Sequence, residues 1–237
     1  MGSTSDLPIV EKAVDVLREF GVPVQVRVLS AHRCPDEARE FAASARASGF
    51  SVIIAAAGMA AHLAGALAAM VANLTIGRKK YAEVNDIMVE LSSRFEKLSS
   101  RLIEDVDRDS DAYNRVFAAF KMPKETDEEK QARSEAIQRE TKYAAQVPME
   151  VARAVYEVLP MIDTVAQKGN SNAVTDACVS MMCARTAILG ALLNVRINLT
   201  SIKDEAFVTA MREEADTIET HTILQEQALL EYAKTIL

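Results

Sequence analysis

The chain has 237 residues, with 27 basic and 34 acidic side chains and a net charge of −7. This charge disfavours generic binding to nucleic acid or to a membrane surface, because phosphates would be repelled. Apolar residues make up 49% of the chain, which predicts a buried core and excludes a disordered protein. Three cysteines and three histidines without ligand spacing argue against a disulfide framework and a metal site. The amino-terminal pattern is not that of a secretory signal, so we expect a soluble, cytoplasmic protein.

The first sixty residues predict helices that alternate with strands. A helix that ends near residue 20 is followed by a strand over 22–29, where valine recurs at every second position. A second helix over 35–49 precedes the apolar run 51–57, which is typical of a buried parallel strand. This order predicts an open α/β segment.

From about residue 60 the apolar residues follow the helical period. Gly77, Pro123 and Gly169 are expected to separate helices. Pro148 is expected in the first turn of a helix, where it is tolerated, whereas Pro160 is expected to kink its helix. The predicted helices cover 60–76, 79–107, 111–121, 127–143, 148–167, 172–200 and 204–236. The fold class is therefore mainly α, a helical bundle preceded by an α/β fragment.

Three motifs in the first part each lie at the end of a predicted strand or open a predicted helix. They read GSTSD over 2–6, SAHR over 30–33 and AGMAAHL over 57–63. A small-residue loop that opens a helix can hold an anion with its backbone N–H groups. In this order, the motifs resemble those of the class I phosphoribosylaminoimidazole carboxylase family, the N5-carboxyaminoimidazole ribonucleotide mutases.

The resemblance implies a flavodoxin-like fold over residues 1–66, truncated because several strands of the family have no counterpart here. It implies that His32 moves a proton and that Arg33 binds phosphate, roles that suit an imidazole and a guanidinium. The vestigial nucleotide-binding residues that it implies are Ser3, Ser5, Asp6, Ser30, His32, Arg33, Gly58, Ala61, His62 and Leu63.

Five motifs in the second part belong together. They read AMVANLTIGRKKY over 69–81, DAY over 111–113, VPMEV over 147–151, GNSNAVTD over 169–176 and NVRINL over 194–199. Over residues 67–237 they resemble the formimidoyltetrahydrofolate cyclodeaminase and methenyltetrahydrofolate cyclohydrolase family. The resemblance implies an all-α homodimer that acts on a reduced folate without cofactor or metal. The PGGGS-type loop of that family is replaced here by AGMAAHL, so the chain resembles a fusion of two incomplete enzymes.

The substrate implied by this resemblance is a cationic amidinium. It is either 5,10-methenyltetrahydrofolate or the 5-formimino form, which cyclises to it with loss of ammonia. Hydrolysis requires a water, a base and carboxylates that stabilise the cation. We expect Asp111 and Asp176 in these roles. The alternative is that Asp176 complements a helix dipole and that Asp111 caps a helix.

The remaining folate-binding candidates are polar or aromatic. The basic residues would bind the glutamate carboxylates of the folate, and the tyrosine and asparagines would contact the pterin. Alternatively, they cap helices, pair on the surface or belong to the core. These candidates are Arg78, Lys79, Lys80, Tyr113, Asn170, Asn172 and Arg196. Three functions therefore remain open: a folate one-carbon enzyme, a mutase-like nucleotide-binding protein, and an inactive helical dimer.

Overall fold

The computed structural model describes residues 7–29, 37, 40–41, 44–45, 48–50 and 60–236. The chain forms two compact units, Met1–Met59 and Ala60–Leu237. The first unit contains one complete helix in its described part, and the second unit contains a bundle of long helices.

The first unit confirms its first predicted helix and contradicts its first predicted strand. Helix α1 spans Leu7–Glu19, and Gly21 follows it with a φ of +69°, a left-handed conformation that favours glycine. Residues 22–29 are irregular and not a strand. A strand needs a hydrogen-bonded neighbour, and the described residues provide none, so the alternating valines alone do not make a sheet. The second predicted strand, 51–57, lies outside the described residues.

The described part of the second unit consists of helices and the turns that join them, without a strand. Two short 3₁₀ helices, Lys79–Val84 and Ser171–Ala173, precede the α-helices that begin at Asn85 and at Val174. The α-helices are α2 Ala60–Asn73, α3 Asn85–Phe120, α4 Asp127–Tyr156, α5 Leu159–Lys168, α6 Val174–Leu199 and α7 Glu205–Ile236. This confirms the helical bundle, whereas the flavodoxin-like fragment is absent from the described residues.

Helix α6 lies at the centre of the bundle, where it packs against α2, α4, α5 and α7. Its neighbour α2 buries Ala64, Gly65 and Ala68, and these small residues let the helices approach closely. The Ser180 hydroxyl of α6 donates a hydrogen bond of 2.7 Å to the Ala64 carbonyl. The core contains aliphatic and methionine side chains with Phe95 as its largest fully buried member, as the scarcity of aromatic residues predicts.

Helix α3 is longer than the sequence predicts. The expected break between 107 and 111 is absent, because α3 is continuous from Asn85 to Phe120. Ser110 does not cap a new helix; its hydroxyl donates to the Val106 carbonyl, 3.1 Å away in the preceding turn. Leu102 and Ala112, on either side of the predicted break, are both buried. Packing therefore outweighs the capping preference of the Asp-Ser-Asp segment.

The two prolines exchange their expected roles. Pro148 lies inside the 30-residue helix α4, whereas Pro160 occupies the first turn of α5. A proline inside a helix leaves the carbonyl four residues earlier without its N–H donor. Here that carbonyl, of Ala144, accepts a hydrogen bond of 2.9 Å from the Asn198 side-chain amide of α6. A side chain from a distant part of the sequence thus replaces the missing donor.

By length and composition alone, one described segment could cross a bilayer. It spans Ser171–Leu199 and has a mean hydropathy of 1.6 over 18 residues. The central helices of water-soluble proteins pass the same test, and α6 contacts four other helices here. This feature is therefore weak evidence for a membrane span.

Candidate functional site

Two loops that are far apart in sequence meet at one end of the bundle. The Thr75 hydroxyl, fully buried, accepts a hydrogen bond of 2.8 Å from the backbone N–H of Asn170, 95 residues away. The side-chain amide of Asn170 donates to the Leu74 carbonyl at 3.2 Å. We call the two segments, residues 74–81 and 169–172, the loop junction.

A tyrosine, a serine and a lysine form the polar face of the loop junction. The Tyr81 hydroxyl lies 3.2 Å from the Ser171 hydroxyl and accepts the Ser171 backbone N–H at 3.0 Å. The Lys80 ammonium donates to the Ser171 hydroxyl at 3.5 Å and lies 5.2 Å from the centre of the Tyr81 ring. The hydrogen bonds from Ser171, and then Lys80, lower the pKa of Tyr81 to about 8, because all of them favour a phenolate.

The first loop owes its shape to Gly77 and to a helix cap. Gly77 has a φ of +74°, and its N–H donates to the Asn85 side chain at 3.0 Å. The Arg78 guanidinium donates to the Leu74 carbonyl at 2.7 Å, so this residue caps the end of α2. Lys79 and Lys80 are exposed and begin the 3₁₀ helix that leads into α3.

The second loop depends on Gly169. A Cβ at this position would lie 2.4 Å from the Val165 carbonyl oxygen, a backbone atom, and 3.2 Å from the Thr75 hydroxyl. Asn170 then caps the short helix, since its side chain accepts the Asn172 N–H at 3.1 Å. Asp176 follows in the first turn of α6, six residues after Asn170, and is half-buried. A side chain at residue 169 would therefore displace the loop that carries Asn170 and Ser171.

The structure brings some of the predicted folate-binding residues together and separates others. Lys80 and Asn170 belong to the loop junction, with Arg78, Lys79, Asn172 and Asp176 on the same two segments or directly beside them. Asp111 lies about 40 Å along α3 from Asn85, at 1.5 Å per residue, and is exposed. Within one chain, the two predicted catalytic aspartates are therefore not neighbours, and their roles remain predictions.

Tyr113 and Arg196 also lie away from the loop junction. Tyr113 is 68% exposed and stacks on Phe117 with the ring centres 6.3 Å apart. Arg196, near the end of α6, forms ion pairs with Asp216 at 2.8 Å and with Glu219 of α7. These hydrogen bonds raise the pKa of Arg196 and leave its guanidinium occupied by carboxylates.

The vestigial nucleotide-binding residues are described only in part. Residues 1–6, 30–36 and 51–59, which include seven of the predicted contacts, lie outside the described residues. Ala61, His62 and Leu63 are half-buried in the first turn of α2. Their roles remain predictions.

An ion-pair network with one buried carboxylate joins α3 to α4 near Asp111. Asp105 is buried and accepts from Arg108 at 2.6 Å, and Arg108 also binds Glu150 at 2.5 Å. These two partners raise the pKa of Arg108. The network joins α3 to α4 and therefore stabilises the bundle.

Thr75, Tyr81 and Ser171 contribute to the loop junction but are not among the site residues that the sequence predicts. All three lie within the quoted motifs VANLTIGRKKY and GNSNAVTD, which is the signal that could have found them. Their pairing, across 90 residues or more, has no local signature.

Comparisons with known proteins agree with the helical fold of the second unit. A sequence profile described as formiminotransferase-cyclodeaminase matches residues 55–217. A methenyltetrahydrofolate cyclohydrolase of Methylorubrum extorquens is 37% identical over 161 residues, which is 68% of this chain and 77% of the relative. A crystal structure of formiminotetrahydrofolate cyclodeaminase from Thermotoga maritima matches with a TM-score of 0.67 and 28% identity, covering 75% of this chain and 84% of the other.

The second resemblance is also found. An N5-carboxyaminoimidazole ribonucleotide mutase of Pyrococcus horikoshii is 49% identical over 77 residues, 32% of this chain. The match covers only 44% of the length of that mutase, so the chain carries less than half of such a protein. The formiminotransferase-cyclodeaminase match covers most of the chain, including the whole loop junction. The chain therefore belongs to the formiminotransferase-cyclodeaminase family.

Proposed function

We propose that the helical unit hydrolyses 5,10-methenyltetrahydrofolate to a formyltetrahydrofolate, with the loop junction as part of its folate site. The observation that carries the proposal is the pairing of Tyr81, Ser171 and Asn170 across the two loops, inside the region that matches the family. The Methylorubrum relative, a methenyltetrahydrofolate cyclohydrolase, supports the choice of substrate. No metal or cofactor enters the proposed reaction.

The side chains at the loop junction suit a folate. The substrate carries a cationic amidinium, which a carboxylate such as Asp176 would stabilise as water attacks. Exposed amines at Lys79 and Lys80 would attract the glutamate carboxylates of the folate tail. Asn172 is exposed and offers an amide group of the kind that hydrogen-bonds a pterin ring, whereas the Asn170 amide already bonds the Leu74 carbonyl and the Asn172 N–H and would hold the loop in place.

The test is loss of the near-ultraviolet absorbance of 5,10-methenyltetrahydrofolate, with the uncatalysed rate subtracted. The full chain should accelerate this loss, and Asp176→Asn should reduce kcat by about 10²-fold or more. Asp163→Asn is the matched control, because Asp163 is a half-buried helical aspartate of α5 that bonds Gln167 at 2.8 Å, outside the loop junction. A full chain no faster than buffer would refute the proposed function.

Cyclising deamination of 5-formiminotetrahydrofolate is the second candidate, because the matched profile and the Thermotoga structure are described as cyclodeaminases. Ammonia release from that substrate distinguishes the two reactions. If ammonia forms and the methenyl cation persists, the chain is a deaminase and not a hydrolase.

We also propose that the protein is a cytoplasmic homodimer. Leu193 and Ile197 of α6 are 64% and 65% exposed, and large exposed apolar side chains on one helix support a subunit contact. The molar mass in solution, by light scattering, tests this: a value near 26 kDa, one chain, would refute it.

A further inference from the structure

We propose that the Tyr81 hydroxyl transfers the proton at the folate site, accepting it from the attacking water and returning it to the departing ring nitrogen. This inference rests on the proposed hydrolysis. It assigns a catalytic residue that the sequence did not single out.

Tyr81 joins the two loops of the loop junction. It lies in the 3₁₀ helix between α2 and α3, and its hydroxyl crosses to Ser171 at the other loop. The phenol oxygen accepts the backbone N–H of Ser171 at 3.0 Å, and the Ser171 hydroxyl, 3.2 Å away, can donate to it once the phenol loses its proton. Two donors on one oxygen stabilise its anionic form.

A positive charge lies beside Tyr81. The Lys80 ammonium contacts both Ser171 and the face of the Tyr81 ring, and a nearby cation favours the phenolate. Of the other charged residues in this segment, Arg78 is directed to the Leu74 carbonyl, whereas Lys79 and Glu83 are exposed. Asp86 and Asp176 lie in the first turns of α3 and α6, the two helices that follow the loops. In the described part of the chain, Lys80 is thus the charged group that acts on the Tyr81 hydroxyl.

Tyr81 is half-buried, so part of its side chain is open to solvent while Ser171 holds its hydroxyl. A base that works near neutral pH should have a pKa close to the working pH. The pKa of Tyr81 is lowered to about 8, which meets this requirement, whereas an ordinary tyrosine at about 10 does not.

The proton balance of the reaction is complete. The water oxygen bonds to the amidinium carbon, the C=N electron pair moves to nitrogen, and the Tyr81 phenolate takes one proton from the water. In the tetrahedral intermediate the C–N bond to one ring nitrogen then breaks, and the Tyr81 hydroxyl gives its proton to that nitrogen. The carbonyl forms as the remaining hydroxyl proton passes to solvent. Tyr81 ends as the phenolate, and one proton is released for each cation hydrolysed.

The first experiment compares three variants across pH 6 to 9. In the full chain, kcat should rise through an apparent pKa near 8. Tyr81→Phe should lower kcat by about 100-fold or more and abolish that rise. Ser171→Ala removes the main cause of the lowered pKa, so the rise should move to higher pH. Tyr156→Phe, which removes the hydroxyl that contacts His221 at 3.0 Å, is the matched control and should leave the profile unchanged.

The second experiment needs no substrate. The chain contains five tyrosines and no tryptophan, so tyrosinate absorbance can be titrated cleanly. About one fifth of the total change, one tyrosine of five, should occur with a midpoint near pH 8 and should disappear in Tyr81→Phe. This readout is independent of catalysis.

The outcomes separate the two proposals. If the full chain hydrolyses the cation and Tyr81→Phe keeps both its rate and its pH profile, the role of Tyr81 is refuted and the proposed function stands. If the full chain is inactive, the proposed function fails and the role of Tyr81 fails with it. An unshifted profile in active Ser171→Ala would likewise refute proton transfer by Tyr81.

Discussion

The interior proline of α4 makes the contact between Asn198 and Ala144 testable by a double-mutant cycle. Pro148 cannot donate to the Ala144 carbonyl, and the Asn198 amide donates to it instead at 2.9 Å. Replacing Asn198 by leucine, which has a similar size and no donor, leaves this carbonyl without a partner. Replacing Pro148 by alanine restores the helical N–H, so the carbonyl then has a donor whether or not Asn198 is present.

The expected energies follow from burial. Ala144 is 9% exposed, so its unpaired carbonyl is largely shielded from water, and a buried unsatisfied acceptor costs about 1–3 kcal/mol. Asn198→Leu should therefore reduce the free energy of unfolding by about 1–3 kcal/mol in the parent chain. In the Pro148→Ala background the same change should cost about 0.5 kcal/mol or less, giving a coupling energy of about 1 kcal/mol or more.

The assay is urea unfolding of the helical unit, followed by circular dichroism. The effect of Pro148→Ala itself cancels from the cycle, so its sign need not be known. Asn194→Leu is the matched control, because Asn194 lies one turn earlier, is exposed, and donates within α6 to the Gly190 carbonyl at 3.3 Å. Its cost should be within about 0.5 kcal/mol. Equal costs of Asn198→Leu in both backgrounds would refute the compensation.

Three further predictions concern stability. Thr75→Val removes the acceptor of the Asn170 N–H and should lower the free energy of unfolding in urea by about 1–3 kcal/mol. The control Thr141→Val removes only a hydrogen bond to the carbonyl of the preceding turn and should lower it by less than about 0.5 kcal/mol. Equal costs of the two variants would contradict this prediction. Gly190→Ala, at a site of α6 where an added Cβ would meet no atom of the chain within 4 Å, should stabilise an isolated chain by about 0.5–1 kcal/mol. Because Gly190 lies on the same face as Leu193 and Ile197, a loss of stability would instead support the proposed subunit contact. Burial raises the pKa of Glu140, but two arginines outweigh burial and lower that pKa. The contribution of Glu140 to the free energy of unfolding is therefore complete above pH ~4.3 and is lost below it. Glu140→Gln should cost about 1–3 kcal/mol at pH 7 and progressively less in acid, and a cost independent of pH would contradict this.

The sequence predicts a helix end correctly where a single residue determines that end. Gly77 follows α2 with a φ of +74°, and Gly169 ends α5 where a Cβ would lie 2.4 Å from the Val165 carbonyl oxygen; the sequence predicts both helix ends. The break predicted near residue 110 and the one at Pro148 were wrong for the same reason. In both places a tertiary contact, absent from any short window, outweighs the local preference.

The strand predicted over 22–29 is wrong for a different reason. Alternation of valine with polar residues describes a segment that could pair with another strand, but pairing needs a neighbour that the described residues do not supply.

The sequence likewise predicts only part of the candidate site. Lys80 and Asn170 were predicted from their motifs, while the contact of Tyr81 with Ser171, 90 residues away, could be obtained only from the folded chain.

The segment that stands where the family resemblance predicts a PGGGS-type loop lies away from the loop junction. The AAHL segment begins α2 at Ala60, and the loop junction begins at Leu74, after the 14 residues of that helix, about 21 Å along its axis. The substituted residues that the structure describes therefore do not shape the pairing of Tyr81 with Ser171. A full chain in which Tyr81 titrates near pH 8 but which does not hydrolyse the cation would refute the proposed function and would show that the contacts of Tyr81 form without it. Loss of the titration as well would contradict the pairing of Tyr81 with Ser171, so the titration tests the loop junction separately from catalysis.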